Sequence, residues 1–419
     1  MHKKPLVIIL GGGYSGVRAA LDLLKRKNSK VILIDRNAYH ALPSQYYEVG
    51  AYFRPEDPQT LRKDFHELYH SASVSFDEIF NHSPLFDMIQ DEAESVVPED
   101  SLVVLKRGRR IHYDYLVVAL GSATNYFGIA RLENNAIGFK SVEEALNVRD
   151  RIDELFFSTP KQKKITIVIG GGGVTGCEFS SEVVGYIHKL SRAHSRPIGA
   201  WSCILVEASC SVLSSFSPWA QKKAHARLRK LGVTVLTDSQ IVDVWPNLIH
   251  IGKEKRALPF DLLVWTAGVK GACSGDIIKN VPLQVKNCLP VNEYLQVGEH
   301  KNIFAVGDIA ASFDLYTKTP LAMTAQKAVH EGKYAARAIN QLIGNPSAVL
   351  RAYSPKRSSY VIPLGQKYAI LETPYLRLSG FIPWFLKYIV LLKYVRTVVP
   401  LKRAVRFVVK EMRLFSQND

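Results

Sequence analysis

Two glycine-rich turns, each followed by an acid at the end of a strand, are the residues best suited to chemistry on a nucleotide. The first reads Gly11-Gly12-Gly13-Tyr14-Ser15-Gly16, a Gly-x-Gly-x-x-Gly pattern, with Asp35 and then Arg36 further on. The second places Gly171, Gly173 and Gly176 at the same spacing, with Glu207 further on. In such a pattern the first glycine permits a tight turn and the second lets a pyrophosphate approach the backbone. The third lets helix and strand pack closely, while the helix N-terminus attracts phosphate. The acid can accept hydrogen bonds from an adenosine ribose. A carboxylate at Glu207 suits the 2′-hydroxyl of NADH and repels the 2′-phosphate of NADPH.

Each turn needs a strand to deliver it and a helix to follow it. Leu6–Leu10 and Val31–Ile34 are β-branched apolar runs on either side of the first turn, with a helical pattern between them. Ile165–Ile169 and CILVEA, which ends on Glu207 and Ala208, repeat that arrangement. Strand, glycines, helix, strand and acid in that order are far more specific than glycines alone. A further echo points to duplication. YDYLVVALG (Tyr113–Gly121) and FDLLVWTAG (Phe260–Gly268) each carry an aromatic, an Asp, a buried strand and a small-residue turn ending in Gly. The repeat spans whole domains, so the chain is expected to hold two Rossmann-like dinucleotide-binding folds of the α/β class.

Composition narrows the class. A chain of 419 residues exceeds what one core usually supports. The five cysteines, Cys177, Cys203, Cys210, Cys273 and Cys288, show no CxxC spacing. That argues against a structural zinc, a disulfide framework or a vicinal redox pair, and no metal site is expected. MHKKPLVIIL runs straight into the glycines without a cleavage site, so a reducing compartment is expected. KRGRR (Lys106–Arg110) reads as a hairpin turn, and QDEAESVVPED as a solvated acidic connection leading to it. No low-complexity linker is visible, so closely packed domains are expected.

NIFAVGDIAAS (Asn302–Ser312) is a strand running into Gly307-Asp308. It resembles the second flavin fingerprint of two-dinucleotide-binding-domain flavoproteins, whose Asp accepts hydrogen bonds from the ribityl chain. That resemblance implies FAD at Gly11, Gly12, Gly13, Tyr14, Ser15, Gly16, Asp35, Arg36, Gly121 and Asp308. It implies NADH at Gly171, Gly173, Gly176, Glu207 and Gly268. The FAD-binding domain is then discontinuous (1–123 and 268–350), with an NAD(H)-binding domain inserted (124–267) and a small C-terminal membrane-association domain after it (351–419). Within this superfamily, IDRNAYHALPSQYYEVGA, YDYLVVALG, GGGGVTGCEF, VWTAGVKG and PLAMTAQKAVHEGKYAARAI resemble stretches of type II NADH:quinone oxidoreductases. These are the single-subunit, non-proton-pumping NADH dehydrogenases, and the resemblance covers essentially the whole chain.

The family resemblance implies hydride transfer from NADH to FAD and two-electron transfer to a membrane quinone. It assigns Glu178 a catalytic place facing nicotinamide and flavin, although an acid near a helix start is also what the macrodipole favours. It assigns Ala325 and Gln326 to the flavin ring, and Gln326 to the border of the quinone site. Where the family has a second Gln one turn later, this chain has His330. His330 can hydrogen-bond a quinone carbonyl or, as imidazolium, deliver a proton, and it can equally occupy a helix surface. An NADH-dependent flavin reductase with a non-quinone acceptor is the alternative. Sulfide:quinone reductase and the disulfide reductases need a cysteine pair whose setting Cys273 and Cys288 do not resemble, and Cys177 reads as a small core residue.

The net charge is +16, and residues 376–419 hold nine Lys/Arg against Glu411 and Asp419. Gly380–Lys410, GFIPWFLKYIVLLKYVRTVVPLKRAVRFVVK, is too often interrupted by Lys387, Lys393 and Arg396 to span a membrane. Pro383 and Pro400 divide it into two short helices. The second is two-faced on a helical wheel, with Leu401, Ala404, Val405, Val408, Val409 and Met412 opposite Lys402, Arg403, Arg406, Lys410 and Arg413. The expected partner is an anionic membrane surface, with Trp384, Phe385 and Tyr388 at the interface and no nucleic acid. The expected location is peripheral, on the cytoplasmic face of the inner (cell) membrane, and a homodimer is left open.

Overall fold

The computed structural model describes residues 3–53, 67–80, 83–197, 199–273, 275, 277–315, 317–355 and 359–415. Both glycine turns sit where the apolar runs deliver them. Strand β1 (Leu6–Leu10) leads into helix α1 (Tyr14–Arg26) and then β2 (Lys30–Asp35). Strand β3 (Ile165–Gly170) leads into α2 (Val174–Ala193) and then β4 (Trp201–Val206). β1 pairs with β2 in parallel, Leu6 opposite Lys30, and β3 pairs with β4 in parallel, Ile165 opposite Trp201.

The chain forms two compact units. The first comprises Met1–Ala41, Ser73–Ala123 and Val269–Ser358. Its six-stranded sheet runs Gln296–Val297, His300–Ala305, Tyr115–Val118, β1, β2, Phe86–Gln90. The hairpin expected around Lys106–Arg110 is present, with Leu102–Leu105 pairing antiparallel to Arg110–His112. Helix α3 (Ala325–Gly344), capped by the Thr324 side chain, packs against α1.

The second unit comprises Leu42–Ala72, Thr124–Gly268 and Ser359–Asp419. Its five-stranded sheet runs Ile137–Gly138, Leu262–Trp265, β3, β4, Thr234–Leu236. The duplication extends to single hydrogen bonds. Asp114 Oδ2 accepts from the Leu6 N–H at 2.6 Å, and Asp261 Oδ2 accepts from the Thr166 N–H at 2.8 Å. In each unit the Asp of the echoed segment pins the start of the first strand.

The units differ from the division expected from sequence. Residues 42–53 and 67–72 were expected in the first flavin segment but pack with the second unit. The stretch expected to stand alone from residue 351 joins that unit from Ser359 onward. The reason lies in what buries it. Tyr360–Pro363, Ala369–Glu372 and Arg377–Gly380 form an antiparallel sheet, followed by α4 (Phe381–Val395) and α5 (Leu401–Phe415). Ala369, Trp384, Tyr388 and Val408 make one small core, and Arg227 ties the sheet to its unit by donating to the Leu364 and Gly365 carbonyls.

Pro383 lies in the first turn of α4 and Pro400 immediately precedes α5, as the proline positions imply. The faces are not those of the wheel. On α5 the buried line is Ala404, Val408, Glu411 and Phe415, while Leu401, Val405 and Val409 are exposed. Trp384 and Tyr388, expected at a membrane interface, are buried against each other, and of that trio only Phe385 is exposed. A wheel separates apolar from basic residues but does not say which part of an apolar face meets protein. No helix among the described residues is long and apolar enough to cross a membrane.

Candidate functional site

Gly11 and Gly171 take φ of +102° and +110°, a left-handed turn that favours glycine. Each presses against the segment following its echoed strand, Gly11 against Ala119 and Leu120, Gly171 against Ala267. A side chain at Gly16 or Gly176 would collide with the carbonyl of Gly11 or Gly171 respectively, which is the close helix-strand packing expected of the third glycine. Gly13 and Gly173 face open space.

The two helix starts share a cap residue. Gly13 and Gly173 cap α1 and α2 and offer no side-chain acceptor. The helix Val142–Ser158, the helix Pro218–Lys230 and α3 are capped by Ser141, Ser217 and Thr324. Neither α1 nor α2 therefore has a side-chain cap from its N-cap residue, and the space beside Gly13 and Gly173 is open, as an anion at a helix start requires.

The strand-end acids make the same pattern of backbone hydrogen bonds. Asp35 accepts from the Gly12 N–H at 2.6 Å and the Asn37 N–H at 2.8 Å, one bond per oxygen. Glu207 accepts from the Gly172 N–H at 2.6 Å and the Ser209 N–H at 2.7 Å. Each oxygen keeps a lone pair free for a further donor, so these acids lock the turn without exhausting their acceptor capacity. Burial pushes the Asp35 carboxyl up, against the two N–H groups. Arg36, beside it, is exposed.

The first unit gathers the other expected flavin residues. Ser122 donates to Asp308 Oδ2 at 2.7 Å, directly after Gly121. Ser15, next to the half-buried Tyr14, packs against Gly307. His40 went unrecognised in the sequence: it is buried, its Nδ1–H donates to the Gly12 carbonyl at 2.9 Å, and burial pushes it down to about 4. At the start of α3, Ala325 and Gln326 are exposed, and His330 follows one turn later, half-buried.

The second unit holds a buried charged cluster that composition and spacing did not disclose. Lys387 Nζ lies 2.5 Å from Glu48 Oε1 and donates to the Tyr47 hydroxyl at 3.2 Å. Gln45 Nε2 donates to Glu411 Oε2 at 2.8 Å and to Glu48 Oε2 at 3.3 Å. Glu411 Oε1 is buried with no hydrogen-bond partner among the described residues. Glu178 is the fifth residue of α2, past its first turn, so the helix dipole does not account for it. Burial pushes its carboxyl well above the usual range, opposed by Lys387 and reinforced by Glu48. Burial likewise raises Glu411, with Glu48 adding to the effect. Burial disfavours the Lys387 charge, but Glu48, Tyr388 and Glu182 more than offset this and hold the ammonium above its usual value. The cluster has several carboxyls around one ammonium, so it retains protons that exposed acids would lose.

Cys177, Cys273 and Cys288 are poor nucleophiles. Cys177 is buried, donates to the Gly172 carbonyl at 3.4 Å, and is pushed up by burial. Burial pushes Cys273 up to about 12 and raises Cys288 as well.

A family model described as pyridine nucleotide-disulphide oxidoreductase matches residues 5–332. A probable NADH dehydrogenase of Dictyostelium discoideum is 32% identical over 71% of this chain and 68% of its own length. A type II NADH:quinone oxidoreductase of Haemophilus influenzae is 29% identical over 73% of each chain. Among solved structures, NDH2 of Plasmodium falciparum in complex with NADH superposes with a TM-score of 0.83, at 19% identity, over 98% of each chain.

Proposed function

The chain belongs to the pyridine nucleotide-disulphide oxidoreductase family and, within it, to the type II NADH:quinone oxidoreductases, and from that premise we infer which residues do the work. It is a flavoenzyme that uses FAD, oxidises NADH and reduces a quinone. The turn from Gly11 to Gly16, with Asp35, Gly121 and Asp308, holds FAD. The turn from Gly171 to Gly176, with Glu207 and Gly268, holds NADH. The observation that carries this assignment is the pair of helix starts left uncapped, each with a strand-end acid bonded to its second glycine.

When bound, FAD accepts a hydride from NADH and passes two electrons on. The protein's own contribution is alignment and proton control. Glu207 locks the second turn through Gly172 and presents its free lone pairs to the adenosine ribose. Burial raises the Glu178 carboxyl, and the nearby Lys387 ammonium opposes that rise by stabilising its charged form. Gln326 and His330, one turn apart on α3, offer an amide and an imidazole to the quinone carbonyls.

Membrane attachment follows from the tail, revised by the structure. Lys387 is paired inside, Arg377 pairs with Glu372 at 2.8 Å, and Lys410 lies 3.4 Å from Glu67. Asp419 lies outside the described residues. Lys393, Arg396, Lys402, Arg403, Arg406 and Arg413 are exposed, alongside exposed Phe381, Ile382, Phe385, Ile389 and Val390. Cations beside outward apolar side chains suit an anionic lipid surface, where a quinone resides, and favour the cytoplasmic leaflet.

The deciding experiment is steady-state NADH oxidation by purified, flavin-loaded protein with ubiquinone or menaquinone analogues. FAD that is reduced by NADH but shows no quinone-dependent turnover would refute the quinone assignment and leave a non-quinone acceptor.

A further inference from the structure

Lys327 and Glu331 lie one turn apart on α3, both buried, with Glu331 fully so. Glu331 Oε2 accepts from the Gly307 N–H at 2.6 Å, and Oε1 accepts from the Ser312 hydroxyl at 2.7 Å. Lys327 Nζ donates to the Gly307 carbonyl at 3.1 Å and to the Ala310 carbonyl at 3.4 Å, and lies 3.7 Å from Glu331 Oε1. Both polar groups of a single glycine are thus held by two side chains of one helix. That glycine, with φ of +79°, directly precedes Asp308.

The same turn of α3 reaches the other flavin motif. Gly332, next to Glu331, lies so close to the Ser15 backbone that a Cβ there would collide with it, and Ser15 in turn packs against Gly307. One helical turn therefore fixes the Gly307-Asp308 turn relative to the start of α1. A buried ion pair is weak evidence of added stability, since apolar residues of similar volume often serve as well. Four hydrogen bonds from that pair to one loop are instead what precise placement requires.

We propose that Lys327 and Glu331 are positioning residues for the flavin: they set the Gly307-Asp308 turn to receive the ribityl chain and hold a charge pair against that turn. The inference rests on FAD occupying this site. Burial pushes Glu331 up to about 7, opposed by Lys327, Ser312 and the Gly307 N–H and reinforced by Asp308. Tyr353 also faces Glu331, and its phenol is raised by burial and by that carboxyl. The pair is neutral overall when Glu331 is ionised and gains a net positive charge as pH falls through 7. Positive charge near a bound flavin favours its reduced, anionic state.

The test uses full-length protein stripped of flavin and titrated with FAD, with the flavin midpoint potential followed from acidic to mildly alkaline pH. Glu331→Ala should weaken FAD binding by roughly tenfold or more, through loss of charged hydrogen bonds. Glu331→Gln keeps the acceptor for Gly307, so its FAD affinity should stay within about threefold of the parent. Its potential at alkaline pH should lie above the parent's, and the break in the potential-pH curve near neutrality should vanish. Lys327→Met should lower the potential. If Glu331→Ala fails to fold, the Glu331→Gln curve decides alone. Glu331→Gln and parent curves that superimpose overturn the inference. Parent protein that binds no FAD overturns the cofactor assignment and the inference with it.

Discussion

Lys387 on α4 and Glu48, 339 positions earlier in the chain, meet at 2.5 Å in an ion pair that is largely closed to solvent. The pair ties the C-terminal helices to the second unit's own core and brings an ammonium within electrostatic reach of Glu178. Substituting Lys387 by Met leaves a buried carboxylate unpaired, which should cost about 3–5 kcal/mol of stability. The Lys387→Met/Glu48→Gln double variant should recover much of that loss in a denaturation cycle. A double variant as unstable as the single one would show that the two residues act independently.

Glu411 gives a pH signature of its own. Its folded-state carboxyl is raised above the ordinary value of 4.5 by burial and by Glu48. The folded state therefore binds a proton that the unfolded chain releases. The stability this group contributes is complete below pH 4.5 and is lost as pH rises. Glu411→Gln mimics the protonated acid. Its melting temperature should match the parent's near pH 4.5 and exceed it at pH 8. Parallel curves for the two proteins would mean that Glu411 does not hold its proton.

Nucleotide choice should reside in Glu207. Replacing it by Ala removes a negative charge at the end of β4 and the acceptor for the Gly172 N–H. The kcat/KM ratio of NADPH to NADH is expected to rise on the order of tenfold, about 1.4 kcal/mol. An unchanged ratio would mean that the carboxylate only locks the turn.

Membrane binding should be dissected by surface substitution rather than by deleting the tail. Deletion would remove Lys387 and Phe415, which pack against Glu48 and Tyr52. Replacing Lys402, Arg403 and Arg406 by Ser should weaken binding to anionic vesicles roughly a hundredfold, at about 1 kcal/mol per cation. Replacing exposed Phe381 and Phe385 by Ser should weaken binding to neutral vesicles as well. Cosedimentation unaffected by either set would remove this face as the attachment site.

What was legible in the sequence follows the range of each interaction. The turns at Gly11 and Gly171 are local: glycines, helix and acid lie within one βαβ unit, so their order alone gave them away. The bonds from Asp114 to Leu6 and from Asp261 to Thr166 echo the repeat, which self-comparison can detect. Glu48, Lys387 and Glu411 come from three distant segments, and nothing in the residues around any one of them specifies the others. Lys387 in particular reads as one more membrane-facing cation until its partner is seen. Trp384 and Tyr388 were misplaced for a related reason: apolar residues suit a protein core and a lipid surface equally well, and only the packing of Ala369 and Val408 against them separates the two.

The bare starts of α1 and α2 have a consequence for the protein's life in the cell. Two helices that a Ser, Thr or Asp cap would otherwise finish start here on glycine, and in the proposed assignment FAD and NADH complete them. A ligand at a hundred times its dissociation constant adds about 2.7 kcal/mol to the folded state. On the proposed assignment, flavin-loaded protein should resist proteolysis longer than flavin-free protein, so flavin supply would set the enzyme's lifetime as well as its catalysis.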